Sequence, residues 1–184
     1  YIPKKPKFFF NFTWELPEKI LSFKELFIWR EEPLFFIPEA ILYWGQRIWI
    51  VWENGCGKST FLKSIIWEIE YLEWFHSKWK WVQMCYYSQM HEELDKDITV
   101  RKNFEKQGFS FANQQLIAIL RHYLFDPTDI DKKVWDLSWG QTSKLLFALL
   151  WQRECGLLIL DEPTNHLDYD TRESLEESLR EFKW

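Results

Sequence analysis

Gly55-Cys56-Gly57-Lys58-Ser59-Thr60 is a short run of small residues, one lysine and two hydroxyls, with Asn54 just ahead of it. It follows a hydrophobic β-rich stretch, Arg47 to Trp52, and precedes a helical pattern from Lys58 to Ile66. A glycine turn running into a helix points backbone N–H groups at an anion. Lys58 adds a point charge for the outer phosphates of a nucleotide, and the Ser59 hydroxyl is placed to ligate magnesium. Together these residues read as a Walker A loop. The residues alone also allow a chance glycine turn, because the full pattern asks for glycine at position 52 and this chain has Trp52.

A second cluster lies about a hundred residues on. Leu157-Leu158-Ile159-Leu160 is followed by Asp161-Glu162. A buried parallel strand delivers carboxylates at its C-terminal edge, where α/β sheets bind ligands. Asp161 is then the magnesium ligand, and Glu162 the group that polarises an attacking water. Taken alone, the segment is equally a buried strand ending in solvated acids. Its pairing with the phosphate loop favours the nucleotide reading.

The elements that must position these groups follow from periodicity. Ile20 to Ile28 reads as a strand, with Leu21, Phe23 and Leu26 apolar, and Pro33 and Pro38 punctuate the next segment. Phe61, Leu62, Ile65 and Ile66 share one helical face. Val82 to Tyr87 and Leu157 to Leu160 read as strands. Thr99 to Gln107, Ala112 to Phe125, Trp139 to Gln152 and Thr171 to Phe182 read as helices. Strands alternating with helices, plus a helical insertion, predict a parallel α/β core with a helical subdomain.

The chain has 184 residues, enough for one domain with a real core. Its 47% hydrophobic and 28% charged content is that of a globular protein, and a net charge of -5 gives no sign of a nucleic-acid-binding surface. Lys4, Lys5 and Lys7 near the start form a linker end, a nucleic-acid contact or a solvated tail. Cys56, Cys85 and Cys155 are odd in number and scattered, which argues against a disulfide framework or a zinc site and for a reduced, cytoplasmic protein. No apolar run reaches the roughly 18–20 residues of a membrane span; Leu145 to Trp151 reads as the buried part of a helix.

Further segments carry a family resemblance. Leu137-Ser138-Trp139-Gly140-Gln141 resembles the LSGGQ signature of ATP-binding cassette (ABC) proteins and precedes the carboxylate strand, as it does there. Gln89, after Tyr86-Tyr87-Ser88, stands where the family's Q-loop glutamine stands, and Leu167-Asp168 resembles the D-loop. Glu162-Pro163-Thr164-Asn165-His166-Leu167-Asp168 resembles the EPTNHLD run of the ABC-F proteins, which carry two cassettes and no membrane domain. The lead-in Lys7 to Phe12, then Ile20 to Leu26, resembles the segment before the second cassette of such proteins, and Asp95 to Val100 resembles their helical region.

The resemblance implies a P-loop NTPase core with a mostly parallel sheet, an antiparallel β edge and an inserted helical subdomain at about residues 91–140. Residues 1–19 would be the lead-in and 20–184 the nucleotide-binding domain. It implies ATP and Mg2+ as ligands. The ATP contacts are Asn54, Gly55, Cys56, Gly57, Lys58, Ser59 and Thr60, with Trp29 or Phe27 stacking on adenine. Ser59, Gln89 and Asp161 would hold the metal, and Glu162 and Gln89 would act on the water. Ser138, Gly140 and Gln141 would face ATP held by a second cassette, in the same chain or a dimer. The family's role implies the ribosome as partner. The other functions in view are the ATP-binding subunit of a membrane transporter and a nucleotide-binding scaffold without turnover.

Two departures stand out. The family's switch histidine follows a strand beyond the last helix, and the chain stops at Trp184. The resemblance therefore implies a fragment, with slow or absent hydrolysis by itself. Second, Trp52, Trp67, Trp135 and Trp139 stand where relatives commonly have glycine. Thirteen Trp accompany only 6 Gly, against roughly 13 glycines expected at this length. Glycine permits positive φ and close backbone approach; tryptophan opposes both. Either the cassette is degenerate, or UGA codons that specify glycine were translated as tryptophan.

Overall fold

The computed structural model describes residues 5–8, 11–12, 18–29, 33–51, 57–66, 76–78, 82–88, 90–165 and 167–181. In chain order the elements are β1 (Asn11–Phe12), β2 (Lys19–Trp29), β3 (Pro33–Tyr43), α1 (Lys58–Ile65), β4 (His76–Lys78), β5 (Met84–Tyr87), α2 (Val100–Lys106), α3 (Asn113–Arg121), α4 (Trp139–Trp151), β6 (Glu154–Cys155), β7 (Leu157–Leu160) and α5 (Tyr169–Glu181). Two short 3-10 helices, Pro127–Asp131 and Val134–Asp136, lie between α3 and α4. The chain divides into two compact units: Tyr1–Asn11 with Tyr87–Glu154 and Glu162–Trp184, and Phe12–Tyr86 with Cys155–Asp161.

The second unit is the β-rich one. β2 is the middle strand of a sheet ordered β3-β2-β4, antiparallel to both neighbours. The β2–β3 ladder pairs Leu21 with Leu42, Phe23 with Ala40 and Leu26 with Ile37. Glu25 adopts a left-handed φ of 52°, between the Lys24–Glu39 and Leu26–Ile37 pairs, and burial passes from Leu21 and Phe23 to Leu26 across it. The prolines expected to interrupt this region lie inside β3. The strand stands at the end of the β3-β2-β4 order, Pro33 is its first residue and Pro38 falls opposite Glu25, between the Lys24–Glu39 and Leu26–Ile37 pairs; edges, strand starts and irregularities are where sheets accommodate proline.

The helix α1 buries Phe61, Leu62 and Ile65, the face its spacing predicts, against Ile20, Leu21, Phe23 and Leu26 of β2 and Ile159 of β7. The Phe23 and Phe61 rings stand 6.1 Å apart. Residues 46–51 differ from expectation: they form no regular structure, and Trp49 is 81% exposed. A strand covered on both faces favours β-branched aliphatics, and this one alternates them with bulky indoles.

The helical unit is built around α4. Its residues Leu145 to Leu150 are all buried, as is Ser143. Phe8, Tyr87, Tyr123 and Phe147 pack together, with Tyr87 stacked on Phe147 at 4.4 Å. The apolar stripe is Leu116 and Leu120 on α3 and Tyr123 just beyond it, all fully buried, with Ile119 half-buried. α3 stops at Arg121 rather than continuing to Phe125. There Leu124 turns left-handed (φ 63°) and the Phe125 amide bonds back to the Leu120 carbonyl, a Schellman-type end. Among the described residues no helix is long and apolar enough to cross a membrane.

Candidate nucleotide site

Gly57 is the N-cap of α1, with φ 96° and ψ 19°. This left-handed conformation is open to glycine and costly to other residues, so the second glycine of the phosphate loop is required by the backbone it must adopt. The Phe61 amide bonds to the Gly57 carbonyl at 2.9 Å, closing the first turn. A helix leaves the amides of its first turn without intrahelical acceptors. Here that turn is Lys58-Ser59-Thr60, half-buried, a positive helix end carrying a lysine and two hydroxyls. Asn54, Gly55 and Cys56 lie outside the described residues. For Trp29 the backbone belongs to β2 and the side chain is not described.

The carboxylate strand forms where its sequence predicts, Leu157–Leu160, and pairs with β5, but of its four residues only Ile159 is buried and the others are half-buried. Asp161 follows it and is only 3% exposed. The Tyr86 hydroxyl donates to Asp161 Oδ2 over 3.1 Å. Sequence reasoning used Tyr86 only as a lead-in to Gln89. The signal that could have found it is its place at the end of a strand adjacent to the carboxylate strand. Ile159, two residues before Asp161, shares one buried core with Phe61, Leu62 and Ile65 of α1, so a common core supports both the phosphate helix and the carboxylate.

The same unit overturns one expectation outright. Cys85 and Cys155 form a disulfide, with Cα atoms 5.7 Å apart and a sequence separation of 70. The amides of Gly156 and Leu157 bond to the Gln83 carbonyl beside it. Chain spacing gave no hint, because the pairing of β5 with the segment entering β7 is what brings the sulfurs together. A reduced compartment no longer follows from the cysteines.

In the helical unit, Glu162 takes a left-handed φ of 48°. Asn165 Nδ2 donates to Glu162 Oε2 at 2.6 Å, and the Asn165 amide bonds to the Glu162 carbonyl at 3.1 Å. A non-glycine residue held in this region marks stored backbone strain, which clusters at functional sites. By sequence, Asn165 is only a subfamily marker. Asp168 of the D-loop segment is the cap of α5: its carboxylate accepts from the Thr171 amide and hydroxyl, both at 2.8 Å. That cap starts the helix two residues earlier than its apolar pattern suggests. His166 lies outside the described residues.

Ser138 is the N-cap of α4. Its hydroxyl oxygen accepts from the Gln141 amide (3.2 Å), and Gln141 Oε1 accepts from the Ser138 amide (3.0 Å), a capping box. The side-chain oxygen of Gln141 is thus engaged locally. The Ser138 hydroxyl keeps its own proton to donate, and the Gly140 amide belongs to the first turn, where helices leave donors to spare. The Trp139 ring, 38% exposed, leans on His91 at 5.0 Å and lies 5.5 Å from Lys96 Nζ. Gln89 lies outside the described residues. Its flanks do not: Ser88 is clamped by Glu93, whose carboxylate accepts from the Ser88 amide (3.2 Å) and hydroxyl (2.7 Å). Burial pushes the Tyr87 phenol up to about 12, so it remains a donor.

Residues 39–165 match the family model described as ABC transporter. The chain belongs to this family, as an ATP-binding domain. It is 31% identical over 97% of its length to the ABC transporter ATP-binding protein YfmM of Bacillus subtilis and 36% identical over 76% to the ATP-binding protein Uup of Haemophilus influenzae. It spans only 34% and 22% of those two proteins. Among solved structures, a Pyrococcus furiosus protein with the description "ABC transporter (ATP-binding protein)" superposes with a TM-score of 0.70, covering 86% of this chain and 83% of that one at 18% identity. A metal-chelate type ABC transporter in an inward-facing conformation gives 0.63, over 89% of this chain and 67% of that one, at 22% identity. The ABC fold is therefore α/β as the sequence implied, and ABC ATP-binding domains bind ATP, typically with Mg2+. The residues present fit that pair: a left-handed glycine opening a helix with lysine and serine in its first turn, and a buried carboxylate on the same core.

Proposed function

We propose that this ABC domain is an ATPase cassette of the ABC-F type that works with a second cassette in the cytoplasm and acts on the ribosome. The observation that carries the nucleotide half is Gly57, left-handed at the cap of α1, on a core shared with the strand that ends in Asp161. Lys58 and the first-turn amides hold the phosphates, and Ser59, Asp161 and Gln89 are the metal's ligands. Bound magnesium would neutralise phosphate charge as it develops. Glu162, fixed by Asn165, orients the water as base. Ser138 and Gly140 present a hydroxyl and an amide to ATP held by the partner cassette. The Glu162-to-Asp168 run supports the ABC-F reading, as does the lead-in before β2.

Phosphate release and nucleotide binding test the first half: Lys58→Ala abolishes binding, whereas Glu162→Gln binds ATP and loses about 10²-fold or more in turnover. Unchanged binding in Lys58→Ala sinks the site. Co-sedimentation with ribosomes tests the second half; recovery in membranes instead favours a transporter subunit. A scaffold without turnover is the reading favoured by Trp139 at the signature, where an indole occupies the approach of the partner's phosphate. ATP binding without hydrolysis in the wild-type protein would establish it.

A further inference from the structure

We propose that His91 is a positioning residue for the signature end of α4, an inference that rests on the ATPase reading above. His91 is 1% exposed and holds a left-handed φ of 53°, a strained conformation that persists where surroundings impose it. Its Nε2 lies 3.1 Å from the Tyr87 hydroxyl and 3.1 Å from Ser143 Oγ. Ser143 stands one turn into α4, and its hydroxyl donates to the Trp139 carbonyl at 3.1 Å.

Proton accounting gives the chain a direction. A serine hydroxyl has one proton and can accept others. With that proton on the Trp139 carbonyl, Ser143 Oγ can only accept, from His91 Nε2 or from the Tyr87 hydroxyl; we assign hydrogen to Nε2, so that the relay runs from His91 to Ser143 to Trp139. The Trp139 carbonyl and the Gly140 N–H belong to one planar peptide group. Fixing and polarising the carbonyl therefore aims and strengthens the amide that faces the partner cassette's ATP. His91 acts through two hydrogen bonds on the peptide group whose amide makes the third, to ATP, and the Tyr87–Phe147 stack packs beside it.

The test uses the whole protein that carries this cassette. His91→Ala and Ser143→Ala are expected to lower kcat about tenfold, the loss of roughly one hydrogen bond, with KM for ATP within about twofold. His91→Gln places an amide N–H near the Nε2 position and recovers most of kcat; the shorter Asn does not. Rescue by Asn as readily as by Gln, or wild-type kcat in Ser143→Ala, overturns the proposal. If His91→Ala does not fold, Ser143→Ala and His91→Gln still decide. If the wild type does not turn over ATP, the ATPase reading fails on its own. Nitrogen-15 NMR then decides the relay: the proposal requires hydrogen on Nε2 and a Gly140 amide shift that moves in Ser143→Ala, and a bare Nε2 overturns it.

Discussion

Asn165 Nδ2 donates to Glu162 Oε2 over 2.6 Å, and their backbones are joined by the Asn165 amide to Glu162 carbonyl bond. The side chain proposed as general base is thus held by a residue three positions on, in a turn whose first member is left-handed. Losing a hydrogen bond to a charged acceptor costs roughly 1.5–3 kcal/mol. Asn165→Ala is therefore expected to lower kcat about tenfold or more while leaving ATP affinity unchanged. Steady-state phosphate release alongside a binding isotherm separates the two, and equal loss in both would assign Asn165 to the fold instead.

Asp168 gives an acid-side prediction. Desolvation alone would raise its carboxyl, but the Thr171 amide and hydroxyl and the Lys144 ammonium outweigh it and hold the group below the ordinary aspartate range. A depressed folded value means stability that is present above the unfolded value of about 3.9 and lost as pH falls through the folded one. Thermal melts of the wild type should fall more steeply below about pH 4 than those of Asp168→Asn. Asp168→Ala should cost about 0.5–2 kcal/mol at neutral pH, the usual worth of such a cap. Identical acid limbs would show that the cap does not persist in solution.

The Cys85–Cys155 bond closes a long loop, 70 residues by sequence. Chain-entropy reasoning puts its stabilisation at about 4 kcal/mol, with engineered cases often giving less. Reductant or Cys85→Ser should lower the unfolding midpoint accordingly. Thiol titration of the denatured protein should find one thiol per chain before reduction, Cys56, and three after. Three thiols before reduction would show that the bond is absent.

The tryptophans behave unlike core residues. Trp49, Trp135 and Trp139 are 81%, 73% and 38% exposed, while Trp44 and Trp151 are half-buried, Trp44 packed against the core of α1 and β2 and Trp151 against Tyr123; among the described residues no tryptophan is fully buried. Tryptophan is ordinarily highly buried. We propose that the tryptophans at 52, 67, 135 and 139 are glycine codons read as tryptophan, so the gene should carry UGA there; UGG at 52 and 139 would end the idea. In the protein as written, Trp135→Gly and Trp139→Gly should each change stability by no more than about 1 kcal/mol, against about 3–5 kcal/mol for Phe147→Ala in the core. Glycine at both positions should raise affinity for the partner cassette's nucleotide.

Much of the chain was legible because its signals are local. Lys58 to Ile65, Leu157 to Leu160 and the start of α4 at Trp139 follow from side-chain period and capping chemistry within a few residues. The order of the phosphate loop, signature and carboxylate strand, each with its neighbours, was enough to place the chain in its family. The misreadings involve longer reach. Whether Pro38 breaks a strand depends on that strand lying at an edge, and the end of α3 depends on Leu124 turning left-handed.

The sequence by itself nominates the groups proposed for the chemistry: Lys58, Ser59, Asp161, Glu162, Ser138 and Gly140 are picked out by type and spacing, because phosphate and magnesium chemistry admits few substitutes. Tertiary structure decided what holds them. Tyr86 reaches Asp161 from a neighbouring strand, 75 residues away in sequence. Cys85 meets Cys155 through the same pairing. His91 reaches Ser143 across 52 residues. Such contacts are made only when distant segments pack together, and packing is collective: no local pattern of residue types encodes which buried donor will meet which acceptor.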